Sequence, residues 1–262
     1  MEILNKNIIV TGAASGMGKE ITKILLSKGA NVCALDINKE NLSKLEKEIK
    51  SNKLSTYVLD ISKKEDVKKF RDSYIKENKK LDILINNAGI IQPFVNVNEL
   101  DDDVIDRVMN INFYGPLNLT RYFLNDLIKS NEEKYIVNTS SMGGFFPFPG
   151  QSIYGASKAA VKIFSEGLYS ELKNTKVRVM VVFPGAINTN IMQNSNVKMS
   201  NTNTNSNYKM LSANKAALQI VKGIEKNKFK LFVGSDSKFM NFIYKLNSKW
   251  AIDFINKKMK DL

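Results

Sequence analysis

Short apolar runs alternate with longer amphipathic stretches along most of this chain. The runs predict buried strands at 7–11, 31–36, 54–59, 81–86, 134–139, 177–183 and 230–233. Between them, apolar residues recur at intervals of three and four, which predicts helices, the longest at 103–130. Regular alternation of strand and helix is typical of a parallel sheet with helices on both faces. The pattern therefore predicts an α/β, doubly wound parallel sheet of about seven strands.

Two segments depart from this alternation. Residues 190–212 are rich in Asn, Ser and Thr and predict a mobile segment. Residues 235–262 are apolar between lysines and predict a helical C-terminal extension. Such helices must cover an apolar surface, and the body of the chain, a second subunit and a membrane surface all remain open. No linker divides the rest, so we expect a single domain over 1–262.

Composition narrows the available chemistry. The chain has 262 residues, no histidine and a single cysteine, Cys33. These counts exclude Ser-His-Asp and Cys-His nucleophiles and an intramolecular disulfide, and they leave little for a metal site. We therefore expect no metal, and any acid or base must be Tyr, Lys, Asp or Glu.

Charge and hydropathy bear on partners and location. The formal net charge of +13 comes mainly from lysines spread over many helices. Without an arginine cluster or an aromatic-basic stripe, we expect no nucleic-acid partner. No signal peptide is visible, and no segment approaches the ~20 apolar residues of a membrane helix. The sequence thus predicts a cytoplasmic protein without an integral membrane segment.

A glycine-rich turn follows the first strand. Gly12, Gly16 and Gly18 precede an amphipathic helix, so the backbone can approach a pyrophosphate closely at the helix N-terminus. A turn with only a packing role is the alternative. The second strand ends at Asp36, which can accept hydrogen bonds from ribose hydroxyls and would repel a 2′-phosphate. This favours NAD over NADP, although Lys39 lies near.

Two sites that contain asparagine, the segment 86–89 and Asn112, are candidates for the cofactor site and the active site. Asn86-Asn87-Ala88-Gly89 closes the fourth strand with small residues that leave room for a cofactor, although a plain asparagine-glycine turn would look the same. Asn112 is polar within an apolar helical stretch and must find hydrogen-bond partners when it is buried. We expect it near the active site.

Ser141, Tyr154 and Lys158 carry the candidate chemistry. Tyr154 and Lys158 are four apart in a predicted helix, so their side chains share a face. A nearby ammonium favours the phenolate and lowers the pKa of a phenol, which makes Tyr154 a candidate acid or base. Tyr169 and Lys173 repeat the spacing, but Ala156 stands thirteen residues before Tyr169 whereas Ser141 stands thirteen before Tyr154. The second pair is therefore interpreted as an ordinary helix-surface pair.

Together these motifs resemble the short-chain dehydrogenase/reductase family from about residue 4 to 234. The match rests on TGAASGMG, Asp36, Asp60, NNAG, Asn112, Ser141, Tyr154, Lys158 and PGAINT in order and spacing. The resemblance implies a Rossmann-type fold and a homodimer or homotetramer. It implies that Tyr154 is the acid/base, that Ser141 holds the substrate oxygen, and that Lys158 binds the nicotinamide ribose. Asn112 would support a proton relay through water.

The resemblance also implies binding residues. For NAD, or less favourably NADP, they are Gly12, Ser15, Gly16, Met17, Gly18, Asp36, Ile37, Asp60, Ile61, Asn87, Ala88, Gly89, Tyr154, Lys158, Pro184, Gly185, Ile187 and Thr189. For a small-molecule substrate they are Ser141, Gly143, Phe148, Tyr154 and Met192. Residues 190–212 would form a substrate lid, with a plain surface loop as the alternative.

The expected activity is NAD(H)-dependent interconversion of a secondary alcohol and a ketone. The apolar stretch after Ser141, together with Ile90, Ile91, Phe94 and Met192, suits a bulky apolar substrate. A hydroxysteroid or bile acid is the preferred hypothesis, with Lys198 or Lys209 meeting a carboxylate. The alternatives are an acyl-carrier-linked ketoreductase and a non-catalytic NAD(H)-sensing regulator.

Overall fold

The core of the molecule is one parallel sheet. The computed structural model describes residues 1–77, 80–195, 197 and 210–260, the side chains of 258–260 excepted. Seven strands pair in the order β3-β2-β1-β4-β5-β6-β9. They are β1 (Asn7–Thr11), β2 (Asn31–Asp36), β3 (Leu54–Val58), β4 (Ile83–Asn86), β5 (Lys134–Thr139), β6 (Val177–Pro184) and β9 (Lys230–Val233). A separate parallel pair joins β7 (Ile187–Asn188) to β8 (Leu211–Ser212).

Helices cover both faces of the sheet. They are α1 (Gly16–Ser27), α2 (Lys39–Ile49), α3 (Lys64–Lys76), α4 (Asp102–Met109), α5 (Gly115–Ile128), α6 (Ser152–Glu171), α7 (Ile191–Asn194), α8 (Ala213–Glu225), α9 (Ser235–Leu246) and α10 (Ser248–Lys260). Because side chains alternate along a strand, Ile8 and Val10 of β1 pack with α1 and α8, whereas Ile9 packs with α3 and α5. The predicted doubly wound, seven-stranded fold is confirmed.

The predicted continuous helix at 103–130 is wrong, because a π-helical turn at Asn110–Tyr114 separates α4 from α5. The Gly115 N–H donates to the carbonyl of Asn110, five residues back. Pro116 follows in the first turn of α5 and has no N–H to donate to the Asn112 carbonyl, four residues back. Such π turns often occur at functional sites, and this one presents Asn112.

The C-terminal extension is helical, as predicted. The inner faces of α9 and α10 pack on the segment that follows Ser141, in a cluster of Met142, Phe146, Met240, Ile243 and Ala251. The outer face of α9 is exposed to solvent. Within the described residues, no helix is both long enough and apolar enough to cross a bilayer.

A buried ion pair ties together the amino-terminal ends of the central strands. Lys134 Nζ lies 2.6 Å from Asp82 Oδ1, and both residues are buried. The other oxygen of Asp82 accepts a hydrogen bond from the Asn7 N–H at 2.7 Å. The pair therefore joins the amino-terminal ends of β1, β4 and β5, at the end of the strands opposite the candidate site.

Candidate active site

The candidate site lies at the carboxyl ends of the strands, where the strand order reverses between β1 and β4. Ligands of open α/β sheets bind at this position. A cleft opens here, and we call it the strand-end cleft. Its walls are Gly12, Ser15, Gly16, Met17, Leu35, Asp36, Ile37, Asn38, Asn41, Leu59, Asp60, Ile61, Asn87, Ala88, Gly89, Ile90, Ile111, Thr189, Asn190, Ile191 and Asn194.

The glycine turn after β1 forms the floor of this cleft. Gly12 and Gly16 have φ values of +63° and +51°, which favour glycine. A β-carbon on Gly18 would overlap the Gly12 carbonyl oxygen, so only glycine lets α1 start this close to the strand. In the part of the chain that the structure describes, no side chain caps the first N–H groups of α1. Those N–H groups and the helix dipole suit a pyrophosphate.

Asp36 closes one end of the cleft. Its two carboxylate oxygens each accept a backbone N–H at 3.0 Å, from Ala14 and Asn38, which fixes the side chain at the end of β2. Asp60 also lines the cleft, whereas no Lys or Arg is among the described lining residues. The charged side chains at this end of the cleft are therefore all acidic among the described lining residues.

The NNAG segment after β4 is held by β1 and β5. Thr11 Oγ1 accepts the N–H groups of both Asn87 and Ala88 at 3.0 Å, and Asn87 Nδ2 donates to the Thr11 carbonyl at 3.1 Å. Asn86 Nδ2 donates to Asn138 Oδ1 at 2.8 Å. Asn87 Oδ1 is buried and has no hydrogen-bond partner among the described residues. A cleft with an unpartnered acceptor and an uncapped helix N-terminus fits a dinucleotide.

Ser141 and Tyr154 bring two hydroxyls together beside this cleft. Ser141 directly follows the β5 region, and its Oγ accepts the Gly143 N–H at 3.0 Å. The Ser141 hydroxyl interacts with the Tyr154 phenol, and both side chains lie against Gly143. A β-carbon on Gly143 would lie 3.2 Å from the Tyr154 ring, so the small residue allows the pair to meet. Two hydroxyls at one point can bind a single substrate oxygen.

Lys158 lies buried one turn after Tyr154 on α6. Its Nζ donates to the Thr139 carbonyl at 3.1 Å. A β-carbon on Gly89 would lie 2.9 Å from Lys158 Nζ and 3.1 Å from Asn112 Oδ1, so Lys158 and Asn112 converge on the NNAG segment. The absence of a side chain at Gly89 thus lets the Lys158 ammonium lie directly behind this part of the cleft wall.

Burial shifts the pKa values of both titratable groups. It raises the pKa of the Tyr154 phenol, and the hydrogen bond with Ser141 opposes this shift but is the smaller cause. The sequence predicted a lowered pKa, and that direction is wrong in the structure because burial dominates. Burial lowers the pKa of Lys158 from 10.5 to about 8, so the ammonium still predominates at neutral pH.

Asn112 is fully buried, and its side chain forms hydrogen bonds with the loop after β4 and with α6. Its Oδ1 accepts the Ile90 N–H, and its Nδ2 donates to the Ile90 carbonyl, both at 2.9 Å. Nδ2 also donates to Ser157 Oγ at 3.0 Å. The π turn thereby connects the loop after β4 to α6, the helix that carries Tyr154 and Lys158.

Gln92 is a residue that the sequence analysis missed. Its side chain is fully buried, and its Oε1 accepts the N–H groups of Ile153 at 2.9 Å and Tyr154 at 2.8 Å. Its Nε2 donates to the Gly150 carbonyl at 2.9 Å. Gln151, which precedes α6, provides no side-chain cap. Gln92 therefore caps α6 from a distant loop and holds the backbone of Tyr154.

Some predicted binding residues lie outside the walls of the strand-end cleft. Ile187 packs against the core, and the Gly185 N–H donates to the Val233 carbonyl at 2.9 Å beside the buried Pro184. Gly18 does not line the cleft but allows α1 to pack closely against the glycine turn. Phe148, expected to line the substrate pocket, packs edge-on against Phe146 with the C-terminal helices.

The described start of the expected lid, α7 with Met192, bridges two parts of the site. Asn194 Nδ2 donates to Ser15 Oγ at 3.0 Å, above the glycine turn. Ser195 Oγ accepts the Ile91 N–H at 3.0 Å and donates to the Ile191 carbonyl. The structure therefore places α7 across the cleft. Lys198 and Lys209 lie outside the described residues.

Comparisons with known proteins agree with this geometry. Residues 6–200 match the sequence model described as short chain dehydrogenase. The chain is 37% identical over 191 residues to a 3-oxoacyl-[acyl-carrier-protein] reductase from Thermotoga maritima, covering 72% of this chain and 77% of that protein. It is 33% identical over 195 residues to 3beta-hydroxysteroid dehydrogenase 2 from Eggerthella lenta, covering 72% and 74%.

A solved structure extends the likeness to almost the whole fold. The short-chain dehydrogenase/reductase from Burkholderia phymatum in complex with NAD superimposes with a TM-score of 0.83 at 23% identity, covering 94% of this chain and 96% of that one. Because the family match spans more than half of the chain and the relatives are enzymes, the chain belongs to the short-chain dehydrogenase/reductase family and is an NAD(P)-dependent oxidoreductase.

Proposed function

We propose that this protein interconverts a secondary alcohol and a ketone with NAD(H). The observation that carries the proposal is that the Ser141 and Tyr154 side chains meet beside Gly143, with Lys158 buried one helical turn away. A non-catalytic sensor would need the cleft but not this pair of hydroxyls.

In the oxidation direction, the Tyr154 phenolate takes the hydroxyl proton of the alcohol. Ser141 and the protonated Tyr154 donate hydrogen bonds where negative charge develops on the substrate oxygen in the transition state. A nicotinamide bound in the cleft would supply the hydride acceptor for oxidation and the hydride donor for reduction. Lys158, buried one helical turn after Tyr154, would hold the nicotinamide ribose. Asn112 supports a relay of the proton through water.

NAD is the proposed cofactor. Asp36 is held in place by two backbone N–H groups and lines the cleft with Asp60, while Lys39 is not among the lining residues. A carboxylate at this position accepts hydrogen bonds from the ribose hydroxyls and repels a 2′-phosphate. Ser15, Gly16, Met17, Ile37, Ile61, Ala88 and Thr189 also line the cleft and would contact the dinucleotide.

A bulky apolar alcohol, such as a hydroxysteroid or bile acid, is the proposed substrate class. The similarity to the Eggerthella hydroxysteroid dehydrogenase supports it. The aliphatic side chains of Ile90 and Ile191 on the cleft wall support it too, because they offer an apolar lining.

The test is initial-rate oxidation of a panel of steroid, fatty and sugar alcohols with NAD and with NADP. We expect turnover with NAD on a steroid alcohol, and Tyr154→Phe should lower kcat by about a hundredfold or more while NADH binding stays within about twofold. Tyr169→Phe is the matched control, because Tyr169 is 46% exposed on the same helix and stacks on Phe229. A Tyr154→Phe enzyme with most of its activity would refute the mechanism, and turnover confined to sugars would refute the substrate class.

An acyl-carrier-linked ketoreductase is the second candidate. The 37% identity to the Thermotoga reductase favours it. Reduction of a 3-oxoacyl thioester faster than any alcohol in the panel is oxidised would select this activity.

A further inference from the structure

The outer surface of the C-terminal helices is unusually apolar. Phe239, Phe242 and Leu246 follow one face of α9 at helical spacing and are 55%, 61% and 71% exposed. Trp250, at the start of α10, is 53% exposed. We call these four side chains the C-terminal apolar face. A monomeric protein rarely leaves such a group of large apolar side chains in water without a partner.

Lysines surround this face. Lys238, Lys245 and Lys249 are exposed on the same two helices. Lys238 also lines a cleft with Lys222, Lys226, Lys228 and Lys230, which come from α8 and β9 and the turn between them. Of these, Lys230 is paired with Glu166 at 2.9 Å. We call this group the lysine cleft, and it joins the apolar face through Lys238.

We propose that the C-terminal apolar face and the lysine cleft dock together on an anionic lipid surface. Aromatic and aliphatic side chains enter the boundary between headgroups and acyl chains, and each lysine near an anionic surface adds attraction. The lysines around this face favour an anionic surface over a second copy of the same face, because two copies docked there would bring these lysines together.

The inner face of the same helices is directed toward the candidate active site. Met240 and Ile243 of α9 pack with Met142 and Phe146, which follow Ser141 in the chain. Docking would therefore hold the Ser141 segment near the bilayer, where apolar alcohols concentrate. The docking itself does not depend on the proposed reaction, so the two can fail separately.

Trp250 is the only tryptophan in the chain and reports on this face directly. The experiment adds vesicles of phosphatidylglycerol and phosphatidylcholine to the full chain and records Trp emission, its quenching by lipids brominated on the acyl chains, and co-flotation. We expect a blue shift, quenching and flotation with anionic vesicles, all weakened by high salt because charge attraction is screened. Vesicles of phosphatidylcholine alone should bind at least about tenfold more weakly.

Variants separate the two parts of the surface. Phe242→Ser with Leu246→Ser should weaken binding at least about tenfold, because two exposed apolar side chains are lost. Gln in place of Lys238, Lys245 and Lys249 should weaken it about a hundredfold at low salt. The controls are Ile163→Ser, whose side chain is 61% exposed on α6, and Gln in place of Lys64, Lys68 and Lys76 on α3.

Three outcomes would overturn the proposal. Protein that stays unbound with anionic vesicles at low salt would do so, and so would equal binding to neutral vesicles. A Trp250 emission that changes with protein concentration and not with lipid, together with a dimer that Phe242→Ser dissociates, would show that a second copy covers this face.

Discussion

Gln92 offers a quantitative test of how the catalytic helix is positioned. Its carboxamide makes three hydrogen bonds to backbone groups of Gly150, Ile153 and Tyr154 while fully buried. Met has nearly the same volume and no hydrogen-bonding capacity to replace them. The Gly150 carbonyl keeps the Gln151 Nε2 donor at 3.1 Å, so two N–H groups, of Ile153 and Tyr154, lose their partner. At about 1 kcal/mol or more each, this predicts a loss of about 2 kcal/mol in the free energy of unfolding. Domains of this kind have about 5–15 kcal/mol, so the Gln92→Met variant still folds.

The effect on activity should exceed the effect on cofactor binding. Without Gln92, the Tyr154 backbone loses its fixed position, and a displacement of about 1 Å of a reacting group can cost about a hundredfold in rate. The assay is kcat at a temperature well below the unfolding transition, beside NADH affinity. We expect kcat to fall by about tenfold to a hundredfold with NADH affinity nearly unchanged.

Gln92→Glu distinguishes positioning from mere packing. The carboxylate still accepts the two N–H groups at the start of α6 and loses only the donor to Gly150, so most of the stability should return. Its negative charge disfavours the Tyr154 phenolate, which should move the pH–rate profile to higher pH. Gln219→Met on α8 is the matched control. Wild-type kcat and an unchanged pH profile in both Gln92 variants would refute the reasoning.

Three further predictions concern charge. Burial lowers the pKa of Lys158 from 10.5 to about 8. Between pH 8 and pH 10.5 the unfolded chain therefore binds more protons than the folded protein, so the free energy of unfolding should rise with pH by up to about 3 kcal/mol. The measurement compares wild type with Lys158→Met in urea titrations at several pH values. A flat difference between the two proteins would contradict this. Asp82→Asn leaves the buried Lys134 without its nearest carboxylate and should cost about 3 kcal/mol in the free energy of unfolding. We expect the NADH affinity to stay unchanged, and a changed affinity would mean that the two ends of the strands are coupled. Asp36→Ala should raise the ratio of kcat/KM with NADP to that with NAD by about tenfold or more, because repulsion of the 2′-phosphate is removed; an unchanged ratio would assign the cofactor preference elsewhere.

Local patterns were enough to predict the sheet and the meeting of three candidate side chains. Strand and helix periods repeat along the chain, and Ser141, Tyr154 and Lys158 lie within one short stretch, so one loop and one helical turn bring them together. The seven-stranded order follows from this alternation once helices cover both faces.

Long-range contacts and burial account for what the sequence did not predict. Gln92 meets Ile153 across 61 residues, and a glutamine in a loop carries no local signal of such a partner. The π turn at Asn110–Tyr114 was not predicted, because the apolar residues recur at helical spacing through this segment. Only the missing N–H of Pro116 indicates that the helix is interrupted there. The pKa of Tyr154 depends on how completely the surrounding chain excludes water, which no spacing reveals.

The strand order also bears on how the chain folds as it is made. β1 finds its neighbour β4 only after some 75 further residues, the separation of Asn7 and its partner Asp82. Once β4 has left the ribosome, the first four strands can pair and bring the glycine turn beside the NNAG segment, while Tyr154 has yet to be synthesised. Chains generally fold from the N-terminus during synthesis. A nascent chain ending before α6 can thus hold the first half of the sheet, and the catalytic helix docks later onto a surface that already exists.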